Sequence, residues 1–269
     1  MTDQAPKSAT GFAAATPPTA KVITTDTDGL TAGWVDLSVD GQTVPVYRAQ
    51  PAGKSDLPVV LVISEIFGVH EHIADVARRF AKQGYLALAP QLFVRQGDPS
   101  AIADIPTLFR DIVSKAPDAQ VNGDLDAVVA WAAQNGGNVD KLGITGFCWG
   151  GRVTWLYASH NPNVKAGVAW YGRLAGDTNA NQTSHPVDVA PTLRVPVLGL
   201  YGAQDTGIPL DQVEQMKAAL AQGSSGSGFV VYPYAGHAFY ADYRPSYNAL
   251  DAQDGWQRAL AWFKQHGVA

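Results

Sequence analysis

Cysteine is almost absent from this sequence, a single residue in 269. That excludes an intramolecular disulfide and a cysteine-rich metal site, so no metal and no oxidising compartment are expected. Runs of lysine and arginine are also missing, and the formal net charge is -5. The chain therefore lacks the electrostatic footprint for phosphate backbones or anionic lipid, and neither nucleic acid nor a membrane is an expected partner. No stretch approaches the ~18 uninterrupted apolar residues that a membrane-spanning helix needs. Charged residues make up only 16% of the chain, against 46% hydrophobic. That balance belongs to a globular chain with a large core, expected to be cytoplasmic and a monomer or small homo-oligomer.

Along the chain, residues 1–29 read as a flexible leader. Met1 to Ala20 is rich in Ala, Thr, Pro and Ser and has no apolar h-region of a secretory signal. Residues 30–269 read as one domain, a length that α/β folds with a continuous sheet reach. Trp34 to Val39 and Thr43 to Arg48 alternate around Asp40-Gly41, which predicts a tight antiparallel ribbon. Leu57 to Ile63 (LPVVLVI) is a nearly continuous apolar run, as expected of a strand covered on both faces.

Strand and helix patterns then alternate. Strands are predicted at Tyr85 to Ala89, Lys141 to Thr145, Ala166 to Trp170, Val195 to Tyr201 and Phe229 to Tyr232. Helices are predicted near Ile73 to Gln83, Ile105 to Lys115, Gly123 to Gln134, Gly151 to His160, Leu210 to Leu220 and Tyr247 to Gln265. This repetition predicts an α/β fold: a mostly parallel, doubly wound sheet with helices on both faces. Gly223 to Gly228 (GSSGSG) reads as a flexible surface linker.

The strongest chemical feature is Gly146-Phe147-Cys148-Trp149-Gly150-Gly151, where a strand should turn directly into a helix. In G-x-S-x-G hydrolases the glycines make room for a nucleophile on a sharp turn, and here cysteine stands in the serine's place. The turn sets the Trp149 N–H at a helix N-terminus, where it can donate to a developing oxyanion. A buried, inert cysteine beside a glycine turn is the plainer alternative. Chain order favours chemistry, because α/β-hydrolases present nucleophile, acid and histidine in that sequence. Asp205 follows the strand Leu198 to Tyr201 as the candidate acid, although a turn residue or helix cap fits the same spot. His237 follows the last strand in Gly236-His237-Ala238-Phe239.

The remaining histidines, His70, His72, His160, His185 and His266, read mostly as surface residues or caps. His70-Glu71-His72 lacks metal-site spacing. Glu65 follows the central strand at the end of the sheet where α/β ligand sites form. It is either a solvated loop acid or a carboxylate that serves the thiol, with the Ile66 N–H completing an oxyanion hole. Phe67, Trp149, Trp170, Tyr171, Phe239 and Tyr240 cluster at the strand ends, and Phe67 and Tyr171 are candidate substrate contacts.

With Glu65-Ile66-Phe67-Gly68, Leu88 to Arg95 (LAPQLFVR), the cysteine elbow, Asp205 and Gly236 to Phe239 in place, the chain from about Leu30 onward resembles the dienelactone hydrolases, the carboxymethylenebutenolidases. The resemblance implies an α/β-hydrolase fold and hydrolysis of a small ester or lactone without a cofactor. It also implies Cys148, His237 and Asp205 as a triad, with Glu65 contacting the resting thiol and Arg95 near a substrate carboxylate. The family's second carboxylate-binding arginine, shortly after the histidine, has no direct match; Arg244 lies further on. Two other functions remain open on sequence alone: a broad thiol esterase or thioesterase, and a non-catalytic thiol sensor in which Cys148 reports oxidation.

Overall fold

The computed structural model describes residues 22–269. Eight strands form one sheet in the order β1-β2-β4-β3-β5-β6-β7-β8. The ribbon comes first: β1 (Leu30–Val39) pairs antiparallel with β2 (Gln42–Pro51) around Asp40 and Gly41. Both turn residues have positive φ, 51° and 77°, as a type I′ hairpin turn requires. β2 also pairs antiparallel with β4 (Leu86–Pro90), and from there the sheet is parallel. β3 (Leu57–Ile63), β5 (Gly137–Phe147), β6 (Val164–Trp170), β7 (Val197–Gly202) and β8 (Gly228–Tyr232) complete it.

The apolar run of β3 is buried because it lies between β4 and β5 with helices on both faces. Those helices are α1 (Glu71–Lys82), α2 (Ile105–Asp111), α3 (Asp118–Gln134), α4 (Trp149–His160), α5 (Pro186–Val189), α6 (Leu210–Leu220) and α7 (Ala249–Gln265). The strands' C-terminal ends gather at one edge, so the loops after β3, β5, β7 and β8 meet there.

Several boundaries differ from the sequence expectation. β5 begins at Gly137 rather than Lys141, because Gly137 and Asn138 pair with Leu57 and Pro58 before the register shifts. The stretch Ile105 to Lys115 breaks after Asp111 into a separate 3-10 turn, Val113–Lys115. The GSSGSG segment is anchored rather than loose: Ser225 is buried, and the Ser227 hydroxyl accepts from Val197 N–H at 2.9 Å. Met1 to Ala20 lies outside the described residues. Residues 22–29 are held on α1, where Thr25 N–H donates to Asp75, Thr25 O accepts from Arg78, and Lys82 pairs with Asp26.

Among the described residues, no helix is long and apolar enough to cross a membrane.

Candidate active site

Cys148 occupies the single residue between β5 and α4, at φ 54° and ψ −114°. Such a conformation is strained for a side-chain-bearing residue and persists only where the surroundings enforce it. The flanking glycines show how. A Cβ on Gly146 would sit 2.1 Å from Gly150 O, one on Gly150 would sit 2.4 Å from Ile63 O, and one on Gly151 would sit 2.6 Å from Trp170 O. The turn is fastened on both sides, since Cys148 N–H donates to Trp170 O at 3.0 Å and Cys148 O accepts from Gly151 N–H at 2.9 Å.

Asp205 stands three residues past β7. Its Oδ1 accepts from the backbone N–H of Gly207 at 2.9 Å and Ile208 at 3.1 Å. Its Oδ2 lies 2.7 Å from His237 Nδ1. The acid and histidine loops are clamped together, because Ala203 N–H donates to Tyr232 O and Gln204 N–H to Ala235 O, both at 2.9 Å. With Nδ1 committed to Asp205, the imidazole keeps its other nitrogen free to serve Cys148, which lines the same cavity. Burial opposes charge on this ring. The pull of Cys148 and the bond that Asp205 accepts outweigh it, and His237 is pushed up to about 10.

Glu65 lies in the loop after β3 and is 1% exposed. One oxygen, Oε2, accepts from the Tyr243 hydroxyl and lies 3.3 Å from His70 Nε2. The other, Oε1, is buried without a partner among the described residues. Burial alone would raise this carboxyl, but His70, the nearby His72 and Tyr243 together hold it down, at about 2. Glu65 is expected to contact the resting thiol; the hydrogen bonds it makes among the described residues are to Tyr243 and His70.

A cavity of about 390 Å³ opens over these groups. Cys148, His237, Asp205, Glu65, Ile66 and Trp149 line it, and so do Phe67 and Tyr171. The Trp149 N–H, first in α4, has no intrahelical acceptor, and the Ile66 N–H donates to no carbonyl among the described residues. The Tyr171 hydroxyl is buried and unpartnered. Burial, with charge at Glu65 and Cys148, pushes this phenol well up, so it remains a donor. The other aromatics expected at the site, Trp170, Phe239 and Tyr240, are buried but do not line the cavity.

Arg95 is a correction. It is not among the cavity residues; its Nη1 meets Asp124 at 2.6 Å and its Nη2 donates to Val39 O. Asp124 is almost fully buried, so a cation must neutralise it, and Arg95 is the partner. Arg244 lines the cavity instead, with no carboxylate partner among the described residues. Sequence reasoning missed Arg152, Arg173 and His185, which also line it. Of the histidines expected as surface residues or caps, His70 and His185 are N-caps, of α1 and α5, though His185 is buried and His70 nearly so, whereas His72 is a buried helix residue. His70 precedes α1 and stacks on His72 with ring centroids 6.1 Å apart. Among the described residues no group of three or more His, Cys, Asp or Glu is placed to hold a metal.

A mostly parallel sheet that presents an elbow cysteine, an acid and a histidine in that order, after β5, β7 and β8, has the layout of an α/β-hydrolase. Comparison with known proteins carries this to a family. The family model "Dienelactone hydrolase family" matches residues 44–267. The chain is 56% identical over 260 residues to the "Putative carboxymethylenebutenolidase" of Escherichia coli K12, covering 96% of each protein. It is 58% identical to the protein of the same description in Methylorubrum extorquens, covering 97% of this chain and 91% of that one. A crystal structure described as a putative dienelactone hydrolase from Klebsiella pneumoniae superimposes with a TM-score of 0.86 at 57% identity, covering 88% of this chain and 99% of that one. The chain belongs to the dienelactone hydrolase family and is a carboxylic ester hydrolase.

Proposed function

We propose that this enzyme hydrolyses a small anionic ester or lactone of the dienelactone kind through a Cys148–His237–Asp205 triad and an acyl-enzyme intermediate. One arrangement carries the reading: His237, its Nδ1 held 2.7 Å from Asp205, shares one cavity with Cys148 on its strained elbow.

The Cys148 thiol gives its proton to His237 and its sulfur attacks the carbonyl carbon, and the oxyanion is received by the N–H groups of Ile66 and Trp149. On collapse the carbonyl–oxygen ester bond breaks, and the leaving oxygen takes a proton from His237. In a lactone that oxygen stays tethered to the acyl chain. Water then attacks the thioester, His237 accepts its proton, and the sulfur leaves. Asp205 holds the imidazole in the tautomer these transfers need. Arg244, unpaired at the cavity wall, supplies the positive charge for a substrate carboxylate.

An apolar wall of Ile105, Phe109, Val113 and Ile208 supports a second reading, a broad esterase for neutral esters. Turnover of cis- and trans-dienelactone and of p-nitrophenyl acetate by wild type and Cys148→Ala separates the two. The proposal expects Cys148-dependent turnover that is faster on dienelactone. Preference for the neutral ester favours the second reading, and turnover that survives Cys148→Ala overturns both.

A further inference from the structure

We propose that the cavity holds a second anion subsite, formed by Arg152 and Arg173, so that the substrate carries two carboxylates rather than one. This deepens the reading above and rests on it. Arg152 is 3% exposed and pinned by two bonds to Asp118, at 2.7 and 2.8 Å, and one to Ser184 O at 2.6 Å. Those bonds use its terminal nitrogens and leave its buried Nε without a partner. His185, 2% exposed, donates from Nε2 to Asp177 O at 3.0 Å and caps α5, so Nδ1 of the neutral ring is an acceptor and offers no donor to an anion.

A buried guanidinium N–H on the cavity, its group fixed through the far side, is costly unless a ligand completes it. Arg173 adds a cation at the same end. A Cβ on Gly176 would lie 3.7 Å from both Arg173 Nη1 and His185 Nε2, which brings the two side chains together. Arg173 has no carboxylate partner among the described residues.

Arg244 belongs to a different part of the wall. Its charge acts on Tyr171 and Tyr243, beside Glu65. Asp118 answers the charge of Arg152 but not its Nε–H, and the acids lining the cavity do not cancel Arg173 or Arg244, since Asp205 serves His237 and Glu65 serves Tyr243 and His70. One carboxylate at Arg244 therefore leaves Arg173 and the Arg152 Nε–H unanswered, and a second carboxylate satisfies them.

Calorimetric titration of Cys148→Ala with the α,ω-dicarboxylates malonate to adipate, each beside the monocarboxylate of equal length, tests this without turnover. At least one dicarboxylate should bind about tenfold tighter than its monocarboxylate, as expected for one added charge-assisted contact. Adding Arg173→Gln should remove most of that gain. No gain anywhere in the series, or a gain that survives Arg173→Gln, overturns the subsite. Cys148-independent ester turnover, by contrast, would overturn the triad and leave this binding result standing.

Discussion

The Tyr243 hydroxyl donates to Glu65 across 178 positions of sequence, and it leaves the second oxygen of that buried carboxylate unpartnered. A loop after the first parallel strand is thus keyed to the segment that follows β8.

Replacing Tyr243 with phenylalanine removes one of the groups holding the Glu65 carboxyl at about 2 instead of its ordinary 4.5. A depressed carboxyl stabilises the fold above its ordinary value and loses that contribution as pH falls through its folded value. Tyr243→Phe should cost about 1–3 kcal/mol at neutral pH. It should also move the acid loss of stability to higher pH, as read by thermal melts over a pH series. Melting curves that coincide with wild type throughout would show that the contact holds nothing.

Asp205→Asn keeps a carbonyl oxygen for the Gly207 and Ile208 amides but turns an amide donor toward His237 Nδ1. The imidazole is then driven to the wrong tautomer. The fall in kcat on p-nitrophenyl acetate should be on the order of 10³-fold with the fold intact. A loss smaller than about tenfold would argue that Asp205 does not orient the base.

His237 is raised to about 10, with charge on Cys148 the largest supporting cause. A raised histidine stabilises the fold fully below its ordinary value of 6.5, and that contribution is lost only as pH climbs through about 10. In an NMR titration the His237 ring should stay charged well past neutrality in wild type and titrate lower in Cys148→Ala. Identical curves near the ordinary value in both proteins would contradict the coupling.

Arg95→Ala strips the cation from buried Asp124. It should cost about 3–5 kcal/mol of stability. Because Arg95 is not among the cavity residues, kcat/KM of the folded variant on an anionic ester should stay within about twofold of wild type. A selective rise in KM for anionic over neutral esters would return Arg95 to the substrate.

What the sequence revealed followed physical locality. Leu57–Ile63 and Leu210–Leu220 have the bounds expected of them because a continuous apolar run and a helical pattern are local signals. The elbow was legible because its glycines answer contacts made within a few residues of Cys148 and on the adjacent strand. Asp205 and His237 were legible by order after successive strands. Arg95 misled because its motif is local while its partner, Asp124, is decided by burial 29 residues away. Arg152, Arg173, His185 and Tyr243 carry no local pattern at all. They reach the cavity or Glu65 only through tertiary folding, and α5, four residues long, is too short for any periodicity to announce.

The account stands most directly on the covalent intermediate. Wild-type enzyme mixed with p-nitrophenyl acetate, quenched in acid within the first turnovers and digested for peptide mass spectrometry, should carry an acetyl group on the peptide containing Cys148. The adduct should decay as turnover proceeds and should persist in His237→Ala once formed. An acetyl group lodged on another residue, or full turnover with Cys148 never acylated, would contradict the account.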